Sequence, residues 1–147
     1  MSKYERSRKG SHLDTIYYQI DMLEYAFFKS RRDDLPVPEM NMTIECFLLH
    51  YRILIEIFSG KKHRGSDISV AHPEVWTGRK LTPEETEALA IPAEKLVDEY
   101  WTDISQFLQH GTQRRFEEFK DWNLQEMWDK LESPVKFFRE IFPRTAS

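Results

Sequence analysis

Residues 41–60 read NMTIECFLLHYRILIEIFSG, and this stretch decides the fold class. Stepping about 100° per residue places Ile44, Phe47, Tyr51, Leu54, Ile55 and Phe58 mainly on one side of a helix. Glu45, Arg52 and Glu56 fall on a narrow stripe opposite. Asn41 is a plausible N-cap and Gly60 suits the position beyond the last turn, so the spacing predicts a helix over about 41–59. His50 stands out. It falls between Leu54 and Ile57, away from the charged stripe. The stretch is also the most apolar in the chain, but Glu45, His50, Arg52 and Glu56 argue against a membrane span.

Upstream, Leu13, Ile16, Ile20, Leu23 and Phe27 recur at helical steps and predict a first helix over about 14–31. Asp14 is its expected N-cap, and Arg31 and Arg32 complement the dipole at the other end. Pro36 and Pro38 then break the chain before the second helix. Downstream, residues 60–81 mix Gly, Pro and charge, which predicts a long loop. Thr82, Pro83 and Glu85 form a capping box that restarts a helix, with Ile91-Pro92 expected to interrupt it. A longer helix follows over about 93–110. Asn123 with Glu126, and Ser133 with Pro134, mark two further expected starts. Strand signals are nearly absent; ISVAH at 68–72 is too short to build a sheet. The expectation is an all-α, four- to five-helix bundle with a long loop after the second helix. Residues 13–147 would form a single helical domain behind a flexible basic arm, residues 1–12.

Composition narrows the function classes. Ten Phe, six Tyr and four Trp among 147 residues predict an aromatic-rich core. A net charge of −4 argues against wholesale electrostatic binding of nucleic acid, although a local basic patch stays open. The single Cys46 has no disulfide partner and reads as a buried small hydrophobe. MSKYERSRKGSH has no apolar run behind its charges, so no secretory signal is expected and a cytoplasmic protein is the simplest reading.

Three constellations bear on chemistry. His50 is either a hydrogen-bonded core histidine or an imidazole kept in the bundle with a shifted pKa. Glu45, Arg52 and Glu56 are either an ion-pair stripe or, if buried, a catalytic or specificity network. His110 and Gly111 suit a helix C-terminus, but that account leaves Thr112, Arg114 and Arg115 unexplained. Arginines grip phosphate bidentately, so these three are candidate phosphate-binding residues. There is no HxxxH, ExxH or CxxC spacing, so neither a metal nor another cofactor is expected. Phosphate-cradling glycine loops are also missing.

Two of these stretches resemble the signatures of a group of uncharacterised bacterial all-α proteins. ECFLLHYRILIEIFS supplies Glu45, Phe47, Leu48, His50, Arg52, Leu54 and Phe58. ISQFLQHGTQRR supplies Ile104, His110, Thr112 and Arg115, with Ser105 and Gln106 in place of the usual Asn and Lys. The group is similar in layout to HEPN-like domains, helical bundles that commonly dimerise and often cleave RNA without a metal. The resemblance implies His110 as acid/base, Arg52 and Arg115 stabilising charge on phosphorus, and Glu45 and His50 orienting them. The arginine that should precede His110 is absent, since residues 103–105 are Asp, Ile and Ser. The expected partners are RNA or a phosphate-bearing ligand and a second copy of the chain. The alternative is a non-catalytic, antitoxin-like interaction module, which an exposed patch around Trp122 and Trp128 would favour.

Overall fold

The fold is all-α. A computed structural model describes residues 12–61, 68–70, 73, 77–109 and 121–144. Helix α1 spans His12–Ser30 and α2 spans Val37–Ser59. Helix α3 covers 83–109 as one helical run, assembled from Pro83–Glu85, Thr86–Ala90, Ile91–Leu96, Val97–Trp101 and Thr102–Gln109. Helix α4 spans Leu124–Ile141. A long connection joins α2 to α3, and among the described residues there is no strand. The basic arm through residue 11 and the segment 110–120 lie outside the described residues.

The apolar side read from the sequence is the core. Phe47, Tyr51, Leu54, Ile55 and Phe58 of α2 are buried, facing Ile16, Ile20, Leu23 and Phe27 of α1. Leu89, Ala93, Leu96 and Ile104 of α3 and Met127, Leu131, Val135 and Phe138 of α4 close the same core. Aromatic rings set the contacts between layers. Phe27 stacks on Trp128 at 5.2 Å between centroids, and Phe58 meets Phe138 at 5.4 Å. Two buried phenols find carbonyls: Tyr17 donates to Phe142 O at 2.7 Å, and Tyr51 to Met127 O at 2.8 Å. Val70 N–H donates to Ile57 O at 2.7 Å, which ties the long connection back to α2.

Several expected boundaries move, each for a physical reason. Helix α1 begins at His12, so Asp14 lies in its first turn and is not its cap. Helix α2 starts at Val37, ahead of Asn41, because a proline in the first turn removes only an N–H that has no intrahelical acceptor. Gly60 takes the left-handed conformation, φ 66°, and its N–H closes on Glu56 O. The Thr82–Glu85 capping box forms as expected. Ile91-Pro92 does not interrupt α3. A π-turn over Thr86–Ala90 precedes the proline, with Ile91 N–H reaching back five residues to Thr86 O, and this wider turn lets the helix run on past Pro92. Likewise α4 continues through Pro134, whose ring is buried in the core, so Ser133-Pro134 starts no new helix.

Candidate site on helix α2

The charged stripe of α2 is a seam against α3. Trp101 N–H donates to the Glu56 carboxylate, and the Arg52 guanidinium reaches Ser105 Oγ at 3.4 Å. Stepping back four residues along α2 thus steps forward four along α3, so the two helices run antiparallel here. Leu108, about one turn beyond Ser105, lies over the next turn of α2. There a shallow open groove of about 440 Å³ is lined by Glu45, Cys46, Leu49, His50, Arg52 and Leu108, among others. Glu45 and Arg52 stand on its α3 side. His50 closes the opposite edge, against α1.

His50 is only 7% exposed, and its Nδ1 lies 2.6 Å from Gln19 Oε1. A carboxamide oxygen accepts, so as Gln19 is oriented the imidazole donates from Nδ1 and keeps Nε2 as an acceptor. The Tyr18 ring stands edge-on to the imidazole at 5.9 Å. Burial holds the His50 pKa below its ordinary 6.5, so the folded chain favours neutral imidazole. The unfolded chain then takes up the proton first as pH falls. This contribution to stability is complete above about 6.5 and is lost as pH drops through the depressed folded value. In urea titrations, wild type is therefore expected to lose more stability than His50→Gln between about pH 7 and pH 5.5. Equal losses would show that His50 is not the titrating group.

The other expectations fall out unevenly. The groove brings Glu45, His50 and Arg52 together, but Arg52 turns toward α3 and His50 toward α1. His110, Thr112, Arg114 and Arg115 lie outside the described residues; the helix that leads to them ends at Gln109. Cys46 is half-buried, and burial pushes its thiol up, away from the thiolate that a nucleophile needs. Trp128 is 8% exposed and Trp122 packs edge-on against Phe107, so the two do not make an exposed patch. Among the described residues the exposed large apolar side chains are elsewhere: Tyr18, Tyr25 and Phe28 on α1, Val37, Met42 and Leu49 on α2, and Ile91 on α3. No group of three or more His, Cys, Asp or Glu side chains among the described residues could hold a metal ion. No described helix is long and apolar enough to cross a membrane.

Sequence reasoning missed Gln19 and Trp101 as partners of the site. Gln19 carried a signal, since it is a polar residue beside Ile16, Ile20 and Leu23 on the buried side of α1. Trp101 carried none, because its indole N–H reads as core until α3 is placed against Glu56. Comparison with known proteins leaves the reading to this geometry. No protein-family model, no curated protein and no solved structure matches the chain.

Proposed function

We propose that the chain is a HEPN-like bundle of the bacterial cytoplasm that acts on RNA or another phosphate-bearing ligand at the α2 groove. One observation carries the reading: Leu108, two residues before His110, lines the same groove as Glu45 and Arg52. In this scheme His110 moves the proton, as general acid/base within hydrogen-bond reach of the reacting oxygen. Arg52 and Arg115 offset charge building on the phosphorus-bound oxygens. Thr112 and Arg114 grip the phosphate, and Glu45 orients Arg52. His50 takes a positioning role, since its burial and its bond to Gln19 favour the neutral ring. The test is cleavage and binding of single-stranded RNA by the purified chain. His110→Ala should abolish cleavage while sparing binding, and Arg52→Ala should weaken both. Cleavage that survives His110→Ala rejects the catalytic assignment.

A second reading has its own support. The side chains exposed on α1 and α2 include Tyr18 at 54%, Tyr25 at 62% and Met42 at 69%, a face of the kind that meets a protein partner. A wild-type chain that neither cleaves nor binds RNA would leave this interaction module as the function. We favour a second copy of the chain as that partner.

A further inference from the structure

Where α1 ends, α2 begins and the chain enters α4, these three elements enclose a second cavity of about 450 Å³. It shares no lining residue with the α2 groove, and its size suits a small molecule. The floor is apolar. Phe27 of α1 is buried there, and Ile44 of α2, Trp122 and Leu124 are half-buried around it. Ring contacts hold this floor from behind: Phe27 stacks on Trp128 at 5.2 Å, and Trp122 stands edge-on to Phe107 at 5.7 Å. The mouth is charged. Arg31 and Asp121 line the cavity and are both exposed. Elsewhere exposed charges close on one another, as in Arg32–Asp34, Arg139–Glu24 and Arg144–Asp21. Arg31 and Asp121 have opposite charges at one cavity, yet among the described residues neither makes an ion pair, with the other or with a neighbour. Arg31 is placed all the same, its guanidinium over the Phe27 ring at 5.7 Å from the centroid.

We propose that this cavity binds a free α-amino acid with a large apolar side chain. The side chain enters first and covers Phe27, Ile44 and Trp122. An aromatic ring fits best, because Phe27 and Trp122 are themselves rings and offer edge-on or offset stacking. The α-carboxylate then meets the Arg31 guanidinium, whose planar fork suits a carboxylate, and the α-ammonium meets Asp121. The pair of charges is what selects the ligand. A simple anion, a phosphate included, gives Arg31 a partner and sets a like charge beside Asp121. A simple cation does the reverse. A peptide carries its ammonium and carboxylate at opposite ends, so only the free amino acid brings both to one mouth. This site does not depend on the phosphate reading of the α2 groove.

Titration of the full chain with L-phenylalanine, followed by two-dimensional amide NMR, tests the site. Shifts should centre on Arg31, Ile44 and Trp122, with a dissociation constant of roughly 0.1–1 mM, as ordinary efficiency gives for a ligand of that size. Phenylalaninamide lacks the carboxylate and N-acetylphenylalanine lacks the ammonium. Each should bind about tenfold more weakly, the loss of one charge-assisted contact near the surface. Arg31→Gln should weaken phenylalanine about tenfold and should not weaken phenylalaninamide further. Asp121→Asn should do the same with N-acetylphenylalanine as the insensitive ligand. Both side chains are exposed, so the variants should keep the wild-type helical circular dichroism. No shift around the cavity at roughly 10 mM phenylalanine overturns the proposal, since even the weak end of the expected range would then be nearly saturated. Shifts centred elsewhere overturn it too, as does equal affinity for phenylalanine, its amide and its N-acetyl form. The titration contains no RNA, so its outcome and that of the cleavage assay are independent.

Discussion

Replacing Phe138 with alanine is expected to destabilise the fold by about 3–5 kcal/mol, the range for truncating a buried Phe. The site has little room to collapse. Phe138 is 0% exposed, and its ring meets Tyr17 at 5.6 Å, Phe58 at 5.4 Å and Phe142 at 5.5 Å. Those three belong to α1, α2 and the end of α4, so one truncation loosens the ring contacts of the C-terminal half of α4 with both other helices. The Tyr17 hydroxyl bond to Phe142 O depends on the same packing. A small domain has roughly 5–15 kcal/mol of total stability, so a large share would be lost. The urea midpoint reads the effect, with Phe138→Leu falling well inside the alanine loss. A loss under about 1 kcal/mol would mean that α4 is not packed here as described.

The second large effect is expected at the α2/α3 seam. Trp101 donates its indole N–H to Glu56, a half-buried carboxylate. Hydrogen bonds to charged groups contribute roughly 1.5–3 kcal/mol, and a donor lost at a half-buried acid is only partly replaced by water. Trp101→Phe keeps most of the ring and removes the donor, so a loss of about 2 kcal/mol is expected. Glu56→Leu should cost less, because both ends of the bond then lack charge. The two losses should fall short of additivity by more than about 1 kcal/mol in a double-mutant cycle. Strict additivity would show that the seam is held by packing and not by this bond. The bond matters to the candidate site because it lies one turn from Arg52, so slack at Trp101 would be felt at the Arg52–Ser105 contact.

The fold class was legible because α2 is nearly ideal in its periodicity. Its buried set of Phe47, Tyr51, Leu54, Ile55 and Phe58 follows from angle alone. The prolines were misread. Pro38, Pro92 and Pro134 each look like breaks in a local window, but first-turn placement, a preceding π-turn and tertiary burial accommodate them in turn. The candidate site was half legible. That Glu45, Arg52 and Glu56 share a stripe is a property of one helix; that the stripe abuts Trp101 and Ser105 is a property of two. His50 could be flagged as anomalous, but its partner Gln19 lies 31 residues away on another helix. No spacing rule reaches that far.

The π-turns of α3 bear on how the seam is phased. Each of Thr86–Ala90 and Val97–Trp101 closes over five residues where an ordinary turn closes over four, so each acts as a one-residue insertion in an otherwise regular helix. The angular position of everything after Trp101, including Ser105 and Leu108, therefore includes two such offsets. The site face of α3 is set by counting, as a vernier is. A chain one residue shorter in either turn would close it as an ordinary α-turn and keep Ser105 and Leu108 on α2. One residue more or fewer in the regular part of α3 between Trp101 and Ser105 would instead rotate both off α2 and dismantle the groove without touching a residue that lines it.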